Sequence, residues 1–216
     1  MKKIFLSLLL VPAVMAVSAQ KQVRLNFYTA YVLDDGFNVY NDANSYYNGK
    51  LKAGVQLGGG IEYLADPNYG FELMYLYKQS DAPSYFKFGA LSAERTETFK
   101  VTQHYIMACP TRHAMSHNQK VEGYAGFLLG MVITDIDVPS NGNSGSSSNF
   151  AWGARLGADI WASGKLGIKL QAQILSATRA YGGDIYYGYW GPVAVPDYST
   201  LWQFGLGGGL TYRLGK

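Results

Sequence analysis

The chain has 216 residues and a formal net charge of +3; with no basic run to concentrate that charge, nucleic acid is not an expected partner. Asp, Glu, Lys and Arg make up only 15% of it, against about 25% in a typical soluble domain; this is too little charge to coat a water-facing surface. The single Cys109 excludes an intramolecular disulfide framework, the usual support of small exported domains, so a closed hydrogen-bonded sheet is expected to hold the chain instead.

The chain opens with Lys2 and Lys3 followed by an apolar stretch from Ile4 to Val17, interrupted only by Ser7 and Pro12. Val17-Ser18-Ala19 then places small residues where a signal peptidase reads. The apolar run is shorter than the about 20 residues of a spanning helix. Residues 1–19 are therefore read as a cleaved secretory signal peptide, leaving 20–216 as one mature domain. No cysteine stands at the cleavage point to accept a lipid.

Beyond the signal peptide the dominant period is two, the signature of strands with unlike faces. The first run sets Val23, Leu25, Phe27, Thr29 and Tyr31 against Arg24, Asn26, Tyr28 and Ala30. The second sets Val55, Leu57, Gly59, Ile61 and Tyr63 against Gly54, Gln56, Gly58, Gly60 and Glu62; the third sets Phe71, Leu73, Tyr75 and Tyr77 against Glu72, Met74 and Leu76. In the fourth, Phe99, Val101, Tyr105 and Met107 are read as the bulky outer face, opposite Lys100, Thr102, His104 and Ile106. The fifth opposes Val121, Ala125, Phe127, Leu129, Met131 and Ile133 to Lys120, Glu122, Tyr124, Gly126 and Gly130. The sixth opposes Phe150, Trp152, Ala154, Leu156 and Ile160 to Gly153, Arg155, Gly157 and Asp159. The seventh has Leu166, Ile168, Leu170 and Ile174 facing away from Lys169, Gln171 and Gln173. The last has Trp202, Phe204, Leu206, Leu210, Tyr212 and Leu214 facing away from Gln203, Gly205, Gly207, Gly209, Thr211 and Arg213.

In this reading no Asp, Glu, Lys or Arg falls on a bulky face. A sandwich core would be lined by the bulky residues; a narrow barrel in lipid turns them outward and fills its lumen with small and polar groups. Backbone groups in lipid must all be paired, so the sheet has to close. The connections between runs alternate long and short. The short ones are Leu64–Asn68, Ala114–Gln119 and Ala162–Lys165; the long ones are Leu33–Leu51, Gln79–Thr98, Asp135–Asn149 and Ala177–Ser199. Short periplasmic turns and long extracellular loops have this rhythm. The predicted fold is all-β, an eight-stranded antiparallel transmembrane up-and-down β-barrel.

On these features the chain resembles the small eight-stranded outer-membrane barrels of the OmpA transmembrane domain, OmpX and opacity-protein type. The resemblance covers the whole mature chain. It is carried locally by the hairpin Gly58-Gly59-Gly60-Ile61-Glu62-Tyr63, turn, Gly70-Phe71-Glu72-Leu73, and by the final Gly209-Leu210-Thr211-Tyr212-Arg213-Leu214. Ending on Leu214-Gly215-Lys216 departs from the aromatic terminus common in that group. The resemblance implies residence in a Gram-negative outer membrane, contact with its lipid and lipopolysaccharide, and handling by the barrel insertion machinery during assembly.

No residue pattern points to catalysis, a cofactor or a metal. His104 is read as a polar lumen residue, and His113 and His117 as flanking a short turn without supporting ligands. The triple glycines 58–60 and 207–209 lie inside strands with no helix behind them, unlike phosphate loops. Asn141 to Ser148 reads as a flexible loop tip. The last long loop carries Tyr181, Tyr186, Tyr187, Tyr189, Trp190 and Tyr198, which suit either recognition of a protein or glycan or an interfacial aromatic girdle.

The inward charges Arg24, Glu62, Glu72, Lys120, Glu122, Asp159, Lys169 and Arg213, with Arg155 higher, are expected to form a paired network closing the lower lumen. Above it, Gly54, Gln56, Gly153, Gln173 and Gly205 are expected to line a wet cup open to the outside. The leading functional expectation is a non-enzymatic barrel with a plugged lumen, displaying four loops for an envelope-structural or adhesin-like role. The alternative is a small pore for ions or solutes.

Overall fold

The computed structural model describes residues 22–42, 45–88, 93–140, 142–178, 185–188, 191–194 and 201–214, with the side chains of 37–47, 88, 178, 185–188, 191–194 and 201 left aside. The stretch read as a signal peptide and the side chains of the aromatic last loop lie outside these described residues.

Each alternating run forms a strand. The barrel staves are β1 (Gln22–Val32), β4 (Gly54–Asp66), β5 (Tyr69–Phe88), β6 (Arg95–Met115), β7 (Val121–Val138), β8 (Asn143–Trp161), β9 (Leu166–Thr178) and β12 (Leu201–Leu214); β2 (Asp35–Asp42), β3 (Ser45–Leu51), β10 (Ile185–Gly188) and β11 (Gly191–Ala194) belong to the connections. Successive staves pair antiparallel all the way round. The ring closes where β1 meets both β4 and β12, with Val23 opposite Leu214 and Val32 opposite Gly205. This is an eight-stranded antiparallel up-and-down barrel.

Alternation decides what faces lipid. Phe27, Leu57, Leu73, Phe127, Leu156 and Leu206 all stand exposed on the outside, whereas Arg24, Glu62, Glu72, Glu122, Asp159 and Lys169 are buried inside. On β5 the outward residues Tyr69, Phe71, Leu73, Tyr75 and Tyr77 form a charge-free band, the length expected of a strand crossing the hydrocarbon. Outward charge resumes above it, where Asp81 lies opposite Lys100 and Lys100 opposite Asp137. At the lower edge the Arg112 guanidinium stacks on the Tyr69 ring, 4.8 Å from its centroid. Near the upper edge Trp152 and Trp202 meet edge to face at 5.3 Å, as aromatic residues do at an interface.

One stave runs in the opposite phase from the expectation. In β6, Phe99, Val101, Tyr105, Met107, Cys109 and His113 point inward, and Lys100, Ile106, Pro110 and Arg112 point outward. His104 is therefore on the outer face, its Nδ1 2.7 Å from the Tyr75 hydroxyl and its Nε2 3.6 Å from Asp135. The physical reason lies across the barrel. β6 faces β12, with Tyr105 reaching Gln203 at 3.4 Å, and β12 offers Gly207, Gly208 and Gly209. The inward bulk of Tyr105 and Met107 thus stands across the lumen from a strand whose inward positions 207 and 209 are glycine.

Where they are described, the long connections are more ordered than their polar composition suggests. β5 and β6 have 20 and 21 residues, and β7 and β8 have 18 and 19, about twice the 9–11 needed to span. Asn143 to Asn149, read as loop, belongs to β8 and pairs with β7 as far as Val138 opposite Asn143. The first connection is the β2–β3 hairpin, and β3 pairs with the upper part of β5 from Gly49 opposite Ser84 to Ser45 opposite Phe88. A wall built from β3 and β5 to β8 thus rises on one side, while β1, β4, β9 and β12 stop low. Above the bilayer the outer face of a hairpin meets water instead of lipid, so it carries polar residues and strand composition there resembles loop composition.

The lumen is layered. Lowest is a charged layer. Above it Met74, Leu76, Tyr105, Met107, Leu128 and Leu175 form an apolar layer. Then come Gln56, Lys78, Gln103, Gln173 and Gln203, followed by an apolar cap of Leu51, Ala82, Phe86, Phe99, Val101 and Val138. The wet cup expected from the glycines is absent among the described residues, because β5, β6 and β7 carry apolar side chains into that space.

Candidate functional site

The charged layer draws on every stave. Arg24 comes from β1, Glu62 from β4, Glu72 from β5, His113 from β6, Glu122 from β7, Arg155 and Asp159 from β8, Lys169 from β9 and Arg213 from β12. Period-two alternation aims each of them inward, and the narrow ring brings them within bonding distance.

Glu122 is the busiest carboxylate. Arg24 from across the lumen donates to both its oxygens, at 2.7 and 3.2 Å. Arg213 donates at 3.1 Å and the Trp161 indole at 3.0 Å. Arg213 also lies over the Trp161 ring, 3.4 Å from its centroid. Charge-assisted bonds of this kind are roughly twice as strong as neutral ones.

A second centre forms around Glu72, which is 0% exposed. Arg155 donates to one of its oxygens; Tyr28 and Asn26 donate to the other at 2.5 and 2.9 Å. Arg155 also donates to the Tyr28 hydroxyl at 3.0 Å and to Thr111 at 3.3 Å. Lys169 pairs with Asp159 at 3.0 Å and lies 4.4 Å from the Tyr124 ring centroid. Glycines make room for these groups: a Cβ added at Gly157 would come within 2.6 Å of the Tyr124 ring, and one at Gly60 would run into the Glu72 carboxylate.

His113 links the centres. Its Nε2 lies 2.8 Å from Glu62 and its Nδ1 2.8 Å from Glu122. Sequence reasoning missed this residue because it sits beside the turn on the one stave read in the wrong phase; its spacing from inward Thr111 and Cys109 was the available signal. Lys120 is the converse case. It stands exposed in the β6–β7 turn and is not a member of the network, a correction to the expectation; the lumen face begins at Glu122, past the turn. The other eight expected residues, Arg24, Glu62, Glu72, Glu122, Arg155, Asp159, Lys169 and Arg213, all line the lumen. Among the described residues no group of three or more His, Cys, Asp or Glu is arranged to hold a metal ion. His117 lies in the exposed turn.

At the extracellular end Asp34 accepts the Ala53 N–H at 2.6 Å and pairs with Lys50. That ammonium holds the Asp34 carboxyl below its ordinary range.

A closed eight-stave ring, a charge-free outer band and a polar, side-chain-filled lumen define an outer-membrane β-barrel. Comparison with solved structures agrees. The chain is similar to the outer membrane protein OprG from Pseudomonas aeruginosa, with a TM-score of 0.53 and 13% identity over 90% of this chain and 96% of that one. It is similar to Neisserial surface protein A, with a TM-score of 0.51 and 12% identity over 90% and 97%. The outer membrane protease OmpT from Escherichia coli also matches, with a TM-score of 0.50 and 12% identity over 90% and 96%. At these identities the likeness is one of fold, and a fold shared by a protease leaves activity to be argued from the site. No family model matches the chain, and no curated protein sequence matches it.

Proposed function

We propose that the mature chain is a non-catalytic surface protein of the Gram-negative outer membrane, exported through its signal peptide. In this reading the barrel is a sealed pedestal for the extracellular wall and loops, in an envelope-structural or adhesin-like role. The observation that carries it is the charged layer contributed by all eight staves. Four acidic groups and their partners bond to one another within the lumen, which supports a sealed reading. An eight-stranded barrel is only just wide enough for its interior side chains to fill it.

Membrane lipid and lipopolysaccharide are the proposed surroundings of the outer band, and the insertion machinery its partner during assembly. A protein or glycan is the proposed ligand of the loops. Planar-bilayer recording on refolded protein tests the seal. The expected outcome is no stepwise conductance from the wild type at moderate voltage. Regular open steps would favour the small-pore alternative.

A further inference from the structure

Among the described residues, Lys78 is a lumen-facing cation that the charged layer does not engage. It lies on β5, one inward position above Leu76, between the lower apolar layer and the apolar cap, and is 0% exposed. Its Nζ is buried without a hydrogen-bond partner. The two acidic groups whose field reaches it, Asp34 and Asp35, are engaged elsewhere. Asp34 pairs with Lys50 and accepts the Ala53 N–H, and Asp35 accepts the Trp202 N–H at 2.7 Å.

Two of the groups around Lys78, Gln56 and Ser80, hold buried donors without a partner, while Gln103, directly opposite on β6, accepts from Gln203. Gln56 stands directly opposite on β4; its Oε1 accepts from Gln173 at 2.5 Å, while its Nε2 is buried without a partner. Ser80, the next inward residue on β5, also has a buried hydroxyl without a partner. A Cβ added at Gly54 would lie 3.5 Å from the Ser80 hydroxyl and 3.7 Å from Lys78 Cε, so Ser80 and Lys78 converge beneath Gly54, and Gln56 is the next inward residue on β4. That glycine is half-buried at the low rim, where β4 begins. A buried charge is costly unless it is paired and hydrogen-bonded, and a buried donor without an acceptor adds to the cost.

We propose that Lys78, Gln56 and Ser80 form a binding site for a small monovalent anion, of halide or short-carboxylate size, entering from the extracellular side beside Gly54. The ammonium supplies the charge, and the Gln56 amide and Ser80 hydroxyl supply the directed donors. Size limits the ligand, because apolar layers lie above and below this single layer of polar side chains.

The test uses the full mature barrel refolded in detergent, with lysine Cε and Nζ resonances followed by NMR at constant ionic strength. Sodium chloride or sodium acetate replaces sodium gluconate, whose anion is too bulky for the site. One lysine resonance is expected to shift saturably with chloride or acetate and to be missing in Lys78→Met. In Gln56→Leu the same shift should need about tenfold more anion, the effect of losing one hydrogen bond to a charged group. Urea titration supplies an independent readout: chloride should raise the wild-type midpoint relative to gluconate and leave that of Lys78→Met unchanged. No saturable shift, equal shifts in all three salts, or a saturable shift that persists in Lys78→Met would overturn the site.

Discussion

Removing the Glu72 carboxylate leaves the Arg155 guanidinium buried, with the Tyr28 and Thr111 hydroxyls and the Met74 sulfur as its remaining neighbours. Glu72→Ala is therefore expected to cost about 3–5 kcal/mol in a urea titration, the cost of breaking a buried pair from one side. Lys120→Ala, in the exposed turn, should stay within about 0.5 kcal/mol. Comparable losses at the two positions would mean that Lys120 belongs to the network after all. The inward charges were legible in the sequence because each stands out against a bulky opposite face. His113 was not, since a histidine beside a turn carries no such contrast.

At the scale of the strand, the side chain that meets lipid depends on phase alone, and a slip of one residue exchanges the two faces. Leu129 is half-exposed on the outside of β7, so Leu129→Arg should destabilise the barrel by about 2–4 kcal/mol if it lies near the midplane. Ser146→Arg, on the upper part of β8, should be nearly neutral.

The phase of β6 has its own test. Ile106 points outward and Cys109 is fully buried in the lumen. Ile106→Arg should then be as costly as Leu129→Arg, and a maleimide should label Cys109 only as urea unfolds the barrel. Rapid labelling of the folded protein would reverse the phase. Seven staves were readable because bulk and charge fell on opposite faces. β6 was not, because Tyr105, Ile106 and Met107 are all apolar and size was a poor guide. The upper strands were hidden for another reason: outside the bilayer nothing forces one face to be apolar.

For the whole molecule, closure implies resistance to detergent. Unboiled protein should migrate differently from boiled protein in a denaturing gel, and identical migration by protein already shown to be refolded would argue against a closed barrel. The ring was legible in the alternation of short and long connections, which places successive staves side by side. The ion pairs of the lower lumen were legible only as a balance of charges, since which group meets which depends on distances across the ring.

The seam between β1 and β12 joins the two ends of the barrel sequence, whereas every other stave is paired with its neighbours along the chain. Seven of the eight junctions can thus form as local events, and the eighth needs nearly the whole domain to be present. Until it forms, β1 and β12 each present a row of unpaired amides that hydrocarbon cannot satisfy. Assembly should accordingly behave as a latch: a chain lacking β12 gains little from the junctions it retains, and it should remain protease-sensitive at the membrane instead of settling as a smaller barrel.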